Sequence, residues 1–236
     1  MNRRDFFGHS AAISVSLAMT APRAIAAVQP DPVLQGDIDY YDTGDSLPHD
    51  IPFGTNPALD EERKLAQQIL EAAPRTGSLQ DIEYYFMNLT VRNKDGELYS
   101  SQWKDRWNPV IVQFFSSTAS TAHNDLVPWC AAFQNWCLDR LGYKGTNSAS
   151  SGSFRKYGIK VTDPQPGDFV VFQDKDPDAA KQGHGHVALF LYRDHDRLFV
   201  LGGNQHAGKH FTSVNVSHFP LVGYMPIDSY RRPVKK

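Results

Sequence analysis

The spacing of apolar residues changes character once along this chain, and that change limits the folds open to it. Up to about residue 141, apolar side chains recur at intervals of three and four. Leu65, Ile69, Leu70 and Ala73 form one such set; Ile82, Tyr85, Phe86 and Leu89 form another; Ile111, Val112, Phe114 and Phe115 form a third. These repeats predict amphipathic helices. Beyond residue 164 they give way to short β-rich runs at 169–172, 186–192, 198–201 and 213–216, separated by Gly, Asp and Asn turns. Helices first and mostly antiparallel strands after them predict an α+β fold. No internal repeat interrupts the order.

Local signals place the helix ends. Asn56-Pro57 predicts a first start, with Asp60, Glu61 and Glu62 near the positive end of the helix dipole and Pro74 as its stop. Ser78 caps a second helix, and Asn93-Lys94-Asp95-Gly96 is a turn. Asn108-Pro109 opens a third helix. Residues 128–141 form a fourth, stopped by Gly142. Two short helices in residues 56–104 are too small to be stable alone, so they are expected to pack on the catalytic core.

The first residues read as an address. Arg3-Arg4-Asp5-Phe6-Phe7 precedes a weakly apolar, Ala- and Ser-rich stretch, and Arg23-Ala24-Ile25-Ala26 offers a small-x-small cleavage site. The arginine pair resembles a twin-arginine export signal. Residues 1–26 are therefore expected to be a signal peptide, 27–55 an extended acidic arm or linker, 56–104 a helical cap region and 105–230 the catalytic domain. The expected location is outside the cytoplasm, in the periplasm or secreted. A formal charge of −2 in 236 residues gives no basic footprint for nucleic acid. No apolar run reaches membrane-spanning length, so no membrane partner is expected once the signal is removed.

An exported chain with two cysteines invites a disulfide. Cys130 and Cys137 are seven residues apart on one predicted helix, about 10.5 Å at 1.5 Å per residue. A disulfide needs Cα atoms within about 7 Å, so both thiols are expected to be free. Cys137, beside Trp136 and Leu138, reads as a small core hydrophobe. Cys130 falls in the first helical turn, where backbone N–H groups and the dipole favour thiolate. A base is then required. His186, in Gly185-His186-Val187 at the start of a β run, is the candidate, and His184 would share its face if the strand reached that far. An orienter for the base is required in turn, and Asn204, after Gly202-Gly203 in the next run, is the candidate.

These blocks carry a resemblance. Pro128-Trp129-Cys130-Ala131-Ala132-Phe133, Pro166-Gly167-Asp168, Gly185-His186-Val187 and Gly202-Gly203-Asn204-Gln205 occur in the order found in CHAP and NlpC-type cell-wall hydrolases, over about residues 105–226. The resemblance implies a papain-like fold, with N-terminal helices and a nucleophile at a helix start packed on a mostly antiparallel sheet. It implies a catalytic set of Cys130, His186 and Asn204, no cofactor or metal, and peptidoglycan as the partner. The reaction implied is amide cleavage through a thioester, as an N-acetylmuramoyl-L-alanine amidase or a peptide endopeptidase. The oxyanion donors would be the Cys130 backbone N–H and a side chain just upstream, His123 or Asn124. Asp168 reads as a turn residue. The sequence departs from the pattern at Gln134, where related sequences tend to have valine, at Phe154, and in a longer loop over residues 174–183.

Two other readings compete. A non-catalytic wall-binding module would keep the fold without the chemistry. A zinc hydrolase would use His184, His186, His206 and His210, whose spacings suit nitrogen ligands, but would leave Cys130 and Asn204 without roles. The sequence is silent on an inhibitor partner.

Overall fold

The computed structural model describes residues 56–207, 211–223 and 225–235. The expected signal peptide and arm lie outside them. Helix α1 spans Asp60–Ala72, α2 Leu79–Met87, α3 Pro109–Phe114, α4 Cys130–Arg140 and α5 Pro177–Lys181. The strands are β1 Ile159–Val161, β2 Phe169–Gln173, β3 Gly185–Asp194, β4 Arg197–His206, β5 Thr212–Pro220 and β6 Ile227–Arg232. They form one sheet in the order β1-β6-β2-β3-β4-β5, with every neighbouring pair antiparallel.

The caps explain the helix boundaries. Ser78 and Asp81 exchange hydrogen bonds between side chain and backbone at the start of α2, satisfying two N–H groups that the helix leaves free. Asn108 Oδ1 accepts from Val110 N at 2.9 Å, with Pro109 behind it, to open α3. Helix α1 begins later than Asn56-Pro57 predicts. The Glu62 carboxylate accepts from the Leu59 backbone N–H at 2.8 Å and fixes the start at Asp60. Glu62 is buried because Arg106 holds it through Nε and Nη2. Beyond α4, Gly142 adopts φ +74°, the left-handed step that glycine supplies at a helix end.

Two hydrophobic clusters flank the sheet. Val171, Val187 and Leu189 belong to the first, with Phe86 of α2, Phe114 of α3 and Trp129, Phe133 and Leu138 of the α4 region. The Phe86 ring makes edge contacts with Phe114, Phe133 and Trp136, so α2 shares a core with α3 and with α4, the helix that Cys130 opens. Val170, Phe172, Ala188, Phe190, Leu198, Val200 and Phe219 fill the second cluster. The alternation along β2 and β3 between the two sets is the period-two rule of a sheet buried on both faces. Three elements lacked a strong sequence signal. Strand β1 is three residues long and largely exposed, β6 is mostly polar, and α5 lies in the expected loop at 174–183 with Asp176 as its cap.

Candidate active site

Cys130 is the first residue of α4, and Trp129 is its N-cap residue. Trp129 is fully buried, and its indole Nε1 donates to Thr212 Oγ1 on β5 at 3.2 Å. Cys130 and Cys137 are both free and buried, as their spacing predicts. The backbone N–H groups of Val187, and of Ala131 and Cys130 in its own turn, lie close enough to the Cys130 sulfur to favour thiolate. Burial overrides them and pushes the thiol up to about 11. The expected low-pKa thiolate is therefore not the resting state. A helix terminus contributes at most about 2 kcal/mol, less than the desolvation of a fully buried thiolate.

Val187 is the neighbour of His186, so the structure brings the nucleophile candidate to the backbone of the base candidate. His186 is 5% exposed. It pairs across the sheet with Phe172, and its ring lies 6.1 Å from the Phe172 ring and 5.7 Å from Phe219. The two side chains thus meet the strand differently: the sulfur rests on Val187, and the imidazole leans into the second cluster. No hydrogen bond joins the two. Burial lowers the His186 pKa to about 4, Gln205 opposes the shift, and nearby His206 adds to it. Both candidates are neutral at rest. His184 stands outside β3, exposed, because Gly185 turns the chain at φ +146°.

The side-chain partner of His186 is Gln205, where the sequence pointed to Asn204. Gln205 Oε1 lies 3.1 Å from His186 Nε2. Gln205 Nε2 donates to the Asn215 carbonyl at 2.5 Å and to Asn215 Oδ1 at 3.2 Å, which fixes the amide with its oxygen toward the ring. His186 must then carry its proton on Nε2 and keep the Nδ1 lone pair. The cause of the exchange is one extra residue. Gly202 pairs with Asn215 and Gln205 with Ser213, so three steps on β4 face two on β5. Asn204 takes up the bulge at φ +60°, a conformation asparagine tolerates better than most residues. Without the bulge, period two would bring Asn204 to the His186 face; with it, Gln205 arrives there.

The two glycines have separate reasons. A Cβ on Gly202 would lie 2.8 Å from Ala188 Cβ, and one on Gly203 would lie 2.3 Å from the Trp129 ring. Gly203 thus lets β4 touch the residue before Cys130. Asp168 is structural, as its place in the sequence suggests: it accepts from Gln165 N and is held by Arg232 at 2.8 and 2.7 Å.

Of the two upstream side chains, Asn124 Oδ1 accepts from Leu126 N in a local turn. His123 lines a groove with Pro109 and Val112 of α3 and Trp136 of α4. Neither is hydrogen-bonded to Cys130. Among the described residues no three His, Cys, Asp or Glu side chains converge as metal ligands would; His210 lies outside them. No described helix is long and apolar enough to cross a membrane.

Helices packed against an antiparallel sheet, with Cys130 at a helix start and His186 on a strand where the Gln205 amide holds it, make up a papain-like α+β fold. Residues 122–204 match the family model of the CHAP domain, a domain typical of peptidoglycan hydrolases. The match spans the loop before Cys130, α4, His186 and the bulge, and stops one residue before Gln205. No curated protein and no solved structure shows significant similarity to the chain.

Proposed function

We propose that the protein is an exported cysteine hydrolase that cleaves amide bonds in peptidoglycan, as an N-acetylmuramoyl-L-alanine amidase or a peptide endopeptidase. One observation carries this reading: Cys130 opens α4 with its sulfur on the backbone next to His186, whose tautomer Gln205 sets. In this mechanism the His186 imidazole turns to the sulfur when substrate fills the site, because contacts of this kind tighten only with substrate present. Nδ1 takes the thiol proton, and the thiolate attacks the amide carbon. His186 then gives the proton to the leaving amine, and a thioester remains. Water, deprotonated by Nδ1, attacks the thioester; the acyl group leaves as a carboxylic acid and the thiol is restored. Backbone N–H groups at the start of α4 stabilise the oxyanion. Asn204 contributes by making the bulge that aims Gln205.

The test is digestion of purified sacculi with the chain lacking residues 1–26 and with its Cys130→Ala variant, read by mass spectrometry. Free stem peptides from the intact chain alone establish an amidase. Shortened or unlinked stems establish an endopeptidase. Products from neither across several wall types favour the binding module, and equal products from both remove Cys130 from the chemistry.

A further inference from the structure

The loop before Cys130 is held at both ends by one directed chain of hydrogen bonds. The Trp129 indole donates to Thr212 Oγ1 at 3.2 Å. Thr212 Oγ1 donates to Gln102 Oε1 at 2.8 Å, and the Thr212 backbone N–H donates to the same oxygen at 3.1 Å. Gln102 Nε2 donates to the Asp125 carbonyl at 2.5 Å. Each polar group is used in the sense its chemistry permits, so the orientation of Gln102 is determined. Trp129 and Asp125 bound the loop over residues 125–129, and Gln102 and Thr212 bridge its two ends.

The bridge also ties the loop to the sheet. Gln102 N donates to Thr212 O and Val214 N to Ser100 O, both at 2.9 Å, and Ser101 pairs antiparallel with Ser213. Ser213 pairs with Gln205 across β4 and β5. The Trp129 ring that begins the chain of bonds lies over Gly203, two residues before Gln205. The loop that delivers the sulfur and the strand that holds the imidazole therefore share Trp129 and Thr212. Gln102 and Thr212 both lie outside the stretch that matches the CHAP model.

We propose that Gln102 and Thr212 are positioning residues that hold the Cys130 loop in register with the His186–Gln205 pair, which makes the segment before the CHAP match part of the catalytic apparatus. The inference rests on Cys130 acting as the nucleophile. Displacement of a reacting group by about 1 Å can cost about 10²-fold in rate. Thr212→Val keeps the shape and removes both side-chain bonds. Thr212→Ser keeps the hydroxyl. Gln102→Leu breaks the chain of bonds at its other link.

The experiment measures kcat and KM on soluble muropeptides and, by peptide mapping, the pH profile of Cys130 alkylation with Cys137 as internal control. All variants are compared below the lowest unfolding midpoint. Thr212→Val and Gln102→Leu are expected to lower kcat by about 10- to 100-fold with KM changed less than about threefold. Their Cys130 alkylation should accelerate, with Cys137 unchanged. Thr212→Ser should restore kcat to within about threefold, and the double variant should lose no more than the worse single variant, because both break one chain of bonds. Folded Thr212→Val with wild-type kcat and a wild-type alkylation profile overturns the proposal. So does a loss of stability without a change in kcat per folded molecule. An active Cys130→Ala chain would instead overturn the parent reading, and the alkylation profile still decides whether the loop is held as described.

Discussion

Burial governs the chemistry of the individual residues at this site. Cys130 is held up to about 11 and His186 down to about 4, so the resting pair is thiol and imidazole. Alkylation of Cys130 in the free protein should therefore be slow at pH 7 and rise only toward alkaline pH. A fast rate that is flat down to pH 6 would show a preformed ion pair and contradict a neutral resting site. The tautomer that Gln205 imposes gives a second expectation. Gln205→Leu removes the acceptor for His186 Nε2–H and should lower kcat by about 10- to 100-fold, since a general base contributes about 10²–10⁴ and a mis-set tautomer forfeits part of it. Asn204→Gly keeps the positive φ and should stay within a few-fold of wild type in the same steady-state assay. The places of Cys130 at a helix start and His186 at a strand start are legible in the sequence because each has a local signature. Gln205 is hidden there because a single-residue bulge inverts every period-two inference beyond it. Asn204 after two glycines is the available sign of that bulge.

Among the elements, the contact between α2 and α4 holds the least expected feature. Glu83 and Gln134 are both fully buried. Gln134 lies close enough to lower the Glu83 pKa slightly, yet none of their four side-chain polar atoms completes a hydrogen bond of good geometry. Desolvation dominates and raises Glu83 well above the usual carboxylate range. A carboxyl raised on folding stabilises the folded chain most below its unfolded value of about 4.5. That contribution is lost as pH rises toward the folded value. Glu83→Leu combined with Gln134→Val should therefore raise stability at pH 8 by about 1–4 kcal/mol and less at pH 5, measured by urea unfolding at both. A double variant that is less stable at pH 8 would show that the pair is satisfied as it stands. The capped helix starts at Ser78 and Asn108 are readable in the sequence because one side chain closes each. Strand β6 is not, because Ile-Asp-Ser-Tyr-Arg-Arg gains its strand character from pairing with β2 and β1 and from the second cluster, not from its own pattern.

At the scale of the molecule, the helices before the CHAP match share one core with α4 and the strands that the match covers. Phe86 on α2 packs edge-on against three aromatic rings from α3 and α4, and Arg140 near the end of α4 binds the last carbonyls of α1. A fragment covering only residues 105–235 leaves this aromatic face uncovered, and it should lack a cooperative thermal transition and bind a hydrophobic dye, as loosely packed chains do. A sharp transition in the fragment would show that the cap helices are dispensable to the fold. The α+β order is legible from the change of hydrophobic period alone. The joining of the cap segment to the site through Gln102 is not, because it depends on a bond to Thr212 across 110 residues.

Nucleophilic catalysis by Cys130 requires a covalent acyl-enzyme, and acid quenching of the protein during turnover of soluble muropeptides, followed by peptide mapping, looks for it directly. The expected result is an acyl adduct on Cys130, of the mass of the carbonyl side of the cleaved bond, with Cys137 unmodified. Products that accumulate with no adduct at any quench time, and at the same rate with Cys130→Ala, would contradict it.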